Sequence, residues 1–216
     1  SYSNNLIFFF FFSTYPDQIV LAGGHIDSWD TGSQTGANDD GGGFISVFEA
    51  FRLLKENGYR PKRTMRFIAW SGEESGSEID GAAQYAKTHA KELSKHVAAF
   101  ESDLGSTKLL GFGHTGDGAD IVKSILSQYL SIIGADYYSP NGFSADVEPL
   151  YNEGGVPIFN NYIQDTPDHE FYFRYHHTAG DSMTMMNPDD LDSNVVGIAS
   201  FLYIIADLEQ TVRTVV

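Results

Sequence analysis

A chain of 216 residues with 42% hydrophobic and 14% aromatic content can bury the core of one sizeable domain, and it carries no long polar tract that would stay disordered. A net charge of −16 argues against the basic surface that nucleic acid or an anionic membrane requires. With no cysteine, a disulfide scaffold and a thiolate metal site are both excluded, so any bound metal must be held by nitrogen and oxygen.

The apolar run Leu6 to Phe12 is far shorter than the roughly 20 residues that span a bilayer; it reads as a buried strand without functional weight. Gln18 to Gly23 follows the turn residues Tyr15-Pro16-Asp17 and reads as a strand, which puts His25 at or just past a strand end. Asp27 to Gly43 is rich in Gly, Asp, Ser and Asn, as a loop is. Phe44 to Asn57 has the apolar spacing of a largely buried helix that Gly58 can end. Arg66 to Trp70 is a short strand running into Ser71-Gly72-Glu73-Glu74. A helix over Ala82 to Leu93 and a strand over His96 to Glu101 come next, with Asp103 just beyond. Then follow a strand at Leu109 to Phe112, a helix at Ala119 to Ile133, a strand at Gly155 to Asn160 and a last helix from Pro188 to Glu209.

Strands alternating with helices predict one α/β domain: a three-layer α/β/α sandwich around a central mixed, mostly parallel sheet. Such sheets bind ligands at the carboxyl ends of their strands, where His25, Glu73, Glu74 and Asp103 all fall.

Taken singly, these residues are weak signals. His25 and Asp27 point the same way in an extended segment, so Asp27 could orient a ligating His25; a turn with a surface His is equally consistent. Carboxylates before a helix, as in Asn38-Asp39-Asp40, are often caps. Three glycines after them instead allow close backbone approach, and Asp39 has two oxygens with which to bridge cations. Glu73 and Glu74 repel each other unless a cation or a shared proton intervenes. If Glu74 binds metal, Glu73 is free to act as general base on water. Asp103 alone is an ordinary loop Asp. A single His after Phe171-Tyr172-Phe173-Arg174-Tyr175 would be a core residue, but here there are two, His176 and His177, followed by a turn and Asp181, a carboxylate able to orient an imidazole.

Together the segments are specific. With Gly-Gly-His25-Ile-Asp27-Ser-Trp-Asp, Asp39-Asp40-Gly-Gly-Gly, Arg60-Pro61-Lys62-Arg63-Thr64, Glu73-Glu74, Glu101-Ser-Asp103, Gly-Gly155-Val-Pro157 and His176-His177-Thr-Ala-Gly-Asp181-Ser-Met-Thr in this order, the chain from about Pro16 to Glu209 resembles the catalytic domain of the co-catalytic zinc aminopeptidases and carboxypeptidases. The resemblance implies two zinc ions. His25 and Asp103 would bind one, Glu74 and His177 the other, and Asp39 would bridge both beside a cis peptide to Asp40. Glu73 would be the general base, Asp27 the support of His25, and His176 a donor to the oxyanion. His177 is preferred over His176 as ligand for its spacing to Asp181.

Relatives are longer, so residues 1–216 are expected to be a catalytic domain within a longer protein, with residues 1–15 outside the resemblance. Ser139 to Tyr151 stands where relatives carry a substrate-binding loop, and Asp146 there reads as a solvated Asp or a contact for a substrate amine. The expected activity is di-zinc exopeptidase cleavage of short peptides with free N-termini. A glutamate-releasing carboxypeptidase would call for an arginine cluster, and only Arg174 lies near a motif. The other classes are an inactive binding or assembly module, a single-zinc aminoacyl cyclase, and a calcium-binding acidic domain, which the imidazoles disfavour. The resemblance also implies a homodimer and a secreted or lysosomal location.

Overall fold

The computed structural model describes residues 6–10, 14–30, 32–76, 80–163 and 170–214. Its strands are β1 (Leu6–Phe10), β2 (Tyr15–His25), β3 (Arg63–Trp70), β4 (His96–Glu101), β5 (Leu109–Thr115), β6 (Tyr137–Ser139) and β7 (Ile158–Ile163). They form one sheet in the order β1-β3-β2-β4-β7-β5-β6. The central strands β3, β2, β4 and β7 are mutually parallel, as are β5 and β6, while β1 and β5 run antiparallel to β3 and β7. This is the mixed, mostly parallel sheet expected from the alternation of elements.

The side-chain period of two along a strand divides the core. Val20, Ala22, Met65, Phe67 and Phe100 pack into one cluster, and Ile19, Leu21, Ile68, Trp70 and Ala99 into the other. The first is covered by α1 (Gly42–Glu56), α3 (Ala119–Ile125) and α6 (Pro188–Asp207). The second is covered by α2 (Gly81–Thr88) and α4 (Glu148–Gly154). A strand buried on both faces reads as a continuous apolar run rather than an alternating one; β3 is buried along its whole length. Even Arg63 lies inside, its guanidinium donating to the carbonyls of Ile205, Ala206 and Leu208 at the C-terminal end of α6, where the helix dipole favours a cation.

Several boundaries differ from expectation. Leu6–Phe10 do form a strand, but at the edge of the sheet and paired with β3 alone; Phe11 and Phe12 lie outside the described residues. α2 stops at Thr88 rather than Leu93, because the Glu92 amide turns back to the His89 carbonyl in a tighter, three-residue turn and Arg66 draws the Glu92 carboxylate inward at 2.9 Å. The helix expected to reach Ile133 loosens into a wider turn at Leu126–Leu130 and then tightens before Gly134, which takes a left-handed conformation. β7 starts at Ile158 rather than Gly155, since Gly155 (φ 61°) is spent capping the unpredicted α4. β6 and α5 (Glu170–Tyr175) were also unexpected. No described helix is long and apolar enough to cross a membrane.

Candidate metal centre

Because β3, β2 and β4 are adjacent and parallel, their carboxyl ends deliver three site segments side by side. β2 ends in His25, β3 runs into the turn that carries Glu73 and Glu74, and Asp103 follows β4. Asp39 enters from an irregular turn at Ala37–Gly41 with a cis peptide to Asp40, and His176 and His177 follow α5.

The sequence-predicted ligands converge. His25 Nε2 lies 3.3 Å from Asp103 Oδ1 and 3.4 Å from Asp39 Oδ1. The other Asp39 oxygen lies 3.4 Å from the Nε2 atoms of both His176 and His177. One carboxylate thus presents a separate oxygen to each imidazole group. His177 Nε2 is also 2.7 Å from Glu74 Oε2, a contact that singles it out from His176. Glu73 Oε2 stands 4.0 Å from His25 Nε2.

The backbone is shaped around these groups. A Cβ on Gly43 would collide with Asp40 Oδ1 and the Ser102 carbonyl, and one on Gly24 with Asp40 Oδ2. The glycine run therefore permits close approach, as its sequence suggested. Asp40 itself is buried and accepts the His25 N–H at 3.1 Å.

Three carboxylates behave differently from expectation. Asp27 reaches His25 Nδ1 through its backbone carbonyl, at 2.9 Å, with its carboxylate 3.8 Å away. That carboxylate instead accepts the amides of Gly72 (2.9 Å), Glu73 (3.3 Å) and Glu74 (3.2 Å), locking the turn that carries the paired glutamates. Among the described residues, Asp181 orients no imidazole. It is fully buried and accepts the Asn38 amide at 2.6 Å, the Asp39 amide at 3.3 Å and Gln34 Nε2 at 3.2 Å. Asp146 is neither solvated nor available to a substrate; it is fully buried, with its amide donating to Glu101 Oε2 at 2.7 Å. Sequence reasoning missed Tyr172, a buried residue whose hydroxyl donates to Asp39 Oδ1 at 3.1 Å. Its position four before His176, one turn of helix, is the only signal that could have found it.

The electrostatics are those of crowded negative charge. Burial, then the charge of Asp103, pushes Glu73 up to about 8. Burial likewise raises Asp40, Asp103 and, together with the charge of Asp39, Glu74. Burial raises both Glu101 and Asp146; the contact between them raises Asp146 further and holds Glu101 back, at about 7. Burial opposes a charge on His25, yet the carboxylates of Asp103 and Asp39 outweigh it and hold the imidazole above its ordinary range. Asp39 is the exception: despite burial, the contact with His25 holds it low.

Whether a cation fits can be tested on the polar atoms. Among the described residues, the buried atoms His25 Nε2, Asp103 Oδ1, Glu74 Oε1 and Asp40 Oδ1 find no hydrogen-bond partner, a costly arrangement unless another positive group engages them. Ligand atoms of Asp39, His176 and His177, of His25, Asp40 and Asp103, and of His25, Asp39 and Glu74 lie mutually within 4.8 Å. Mixed imidazole and carboxylate donors suit zinc rather than calcium. The residues fit a zinc centre.

Comparison with known proteins agrees with this chemistry. Residues 9–202 match the family model described as Peptidase family M28. Carboxypeptidase Q of Bos taurus is 38% identical over 201 residues, covering 92% of this chain and 40% of that protein. This chain therefore spans well under half the length of such curated relatives. Among solved structures, a peptidase M28 precursor from Shewanella amazonensis superposes with a TM-score of 0.86 at 32% identity, over 97% of this chain and 46% of that one. A zinc aminopeptidase from Bacillus subtilis shares the fold with a TM-score of 0.76 at 23% identity, over 95% and 50% of the two chains. The chain belongs to peptidase family M28.

Proposed function

We propose that this chain is the catalytic domain of a di-zinc exopeptidase that hydrolyses short peptides with free N-termini. The observation that carries the reading is Asp39, whose two oxygens face separate imidazole groups, with Glu73 beside them and making none of those ligand contacts. His25 and Asp103 would hold one zinc, Glu74 and His177 the other, and Asp39 both. When bound, such a pair acts as a Lewis acid on the scissile carbonyl and makes water acidic enough to be deprotonated near neutral pH.

The chain's own groups supply the rest. Glu73, held by the Asp27 clamp on its amide, takes a proton from the attacking water at its carboxylate and delivers it to the leaving amine nitrogen. His176, half-exposed beside His177, is positioned to donate to the oxygen of the tetrahedral intermediate. An excess of carboxylates around the centre favours a substrate's protonated α-amine, which supports an aminopeptidase or dipeptidase over a glutamate-releasing carboxypeptidase. The homodimer and the secreted or lysosomal location accompany this reading on family resemblance alone.

Glu73→Gln is the direct test. It should retain zinc while turnover of a dipeptide panel falls by about 10²–10⁴-fold; near-wild-type turnover would remove Glu73 from the role of base. Peptides with blocked N-termini should be poor substrates, and efficient release of a C-terminal residue from them would move the reading to a carboxypeptidase.

A further inference from the structure

The two imidazoles assigned as zinc ligands are held in different ways. His25 is the last residue of β2, and its Nδ1 is fixed by the Asp27 carbonyl at 2.9 Å. A ligating histidine is ordinarily fixed like this, through a hydrogen bond at its other ring nitrogen. His177 has no such bond: among the described residues, the polar contacts of its ring are all at Nε2, with Glu74 and Asp39. Nor does helix geometry fix it, since its backbone lies beyond α5 with φ at 56°, a left-handed conformation.

What the ring does have is two parallel partners. The Trp29 indole stacks on it with centroids 4.3 Å apart and planes 15° apart, and the His176 imidazole with centroids 3.6 Å apart and planes 20° apart. Two rings so near and so nearly parallel cannot share one face of an imidazole without overlapping, so His177 is sandwiched between them. The outer ring, Trp29, is 43% exposed and belongs to the same loop as Asp27. Core packing therefore does not account for a tryptophan at this position.

We propose that Trp29 is a positioning residue for His177: its indole face holds the imidazole plane toward Glu74 and Asp39 and favours the ring most when a cation on Nε2 makes it electron-poor. Tryptophan presents the most negative aromatic face to such a ring. The inference rests on the assignment of His177 as a zinc ligand.

The test is zinc binding itself. The metal-free full chain, its Trp29→Ala and Trp29→Phe variants, and a His177→Ala control are titrated with zinc by equilibrium dialysis, and tryptophan emission is followed in parallel. Trp29→Ala should weaken one of the two zinc sites by about 10-fold, the same site that His177→Ala abolishes. Trp29→Phe, which keeps an aromatic face, should recover most of the loss. Wild-type emission should respond as that site fills, because Trp29 touches the ligand, whereas Trp70, the other tryptophan, is fully buried in the core. Two zincs bound by Trp29→Ala with wild-type affinities would overturn this inference and leave the proposed function standing. A wild-type chain that binds no zinc would overturn both.

Discussion

Replacing Asp181 by Ala tests whether the Asn38–Asp39 segment is held from behind. In the folded chain this carboxylate is fully buried and accepts the amides of Asn38 (2.6 Å) and Asp39 (3.3 Å) together with Gln34 Nε2 (3.2 Å). The Gln34 amide can turn to other partners, but the two backbone donors cannot follow. Asn38 is tied through Oδ1 to the Ser106 amide and hydroxyl, and Asp39 to the Tyr172 hydroxyl. Two buried N–H groups are left unpaired at about 1–3 kcal/mol each, partly offset by no longer burying a carboxylate, so a net loss of about 3 kcal/mol is expected. Asp181→Asn, which keeps one oxygen, should lose roughly half as much. The Thr35 contacts do not confuse the result, because they reach the Asp181 backbone carbonyl, which both variants retain. Urea unfolding of the metal-free chain measures the effect, with an unchanged m-value as the sign that the same surface is exposed. A loss below about 1 kcal/mol for the Ala variant would mean that the two amides find other partners and that Asp181 is not the clamp.

Gly43→Ala should destabilise the fold by at least about 1–3 kcal/mol and weaken zinc binding, since the added methyl meets the Ser102 carbonyl and Asp40 Oδ1; wild-type stability would show that the helix start can shift. Zinc at about a hundredfold over the dissociation constant of each site should stabilise the chain by about 2.7 kcal/mol per site, reversibly on chelation, and a melting temperature indifferent to both would refute a metal centre. His96 supplies a pH dependence far from the site. Burial lowers it from 6.5 to about 4, so the unfolded chain takes up this proton more readily than the folded one. Its contribution is complete above the unfolded value and is lost as pH falls toward 4, by about 3 kcal/mol in all. Urea midpoints across that range should fall less steeply for His96→Gln than for wild type; parallel slopes would show that His96 is not the group responsible.

The fold and the meeting of the candidate ligands were legible wherever a local pattern announced them. Apolar runs marked β2, β3 and β4, and once those ends were located, His25, Glu73, Glu74 and Asp103 had to converge. β6, α4 and α5 are too short to display a period, and α2 was shortened by an ion pair, Arg66 to Glu92, that no local pattern records. Second-layer carboxylates were misread for the same reason. Asp181 and Asp146 look like loop residues because their partners, the amides at Asn38 and Asp39 and the Glu101 carboxylate, lie far away in the chain. Adjacent His176 and His177 carry the same side chain, and the Glu74 contact that separates them comes from a turn far away in the chain.

The neighbourhood of β3, β2 and β4 in the sheet makes the backbone a ruler. Hydrogen-bonded strands keep a spacing of about 4.8 Å whatever side chains they carry, so the anchor points behind His25, Glu74 and Asp103 are set by peptide groups rather than by core packing. Substitutions among the buried residues on either face would then change how firmly the sheet is held before they change how far apart its ends stand. Stability and site geometry are to that extent separate properties of this chain, and its interior can drift in sequence while its measuring edge keeps the same graduations.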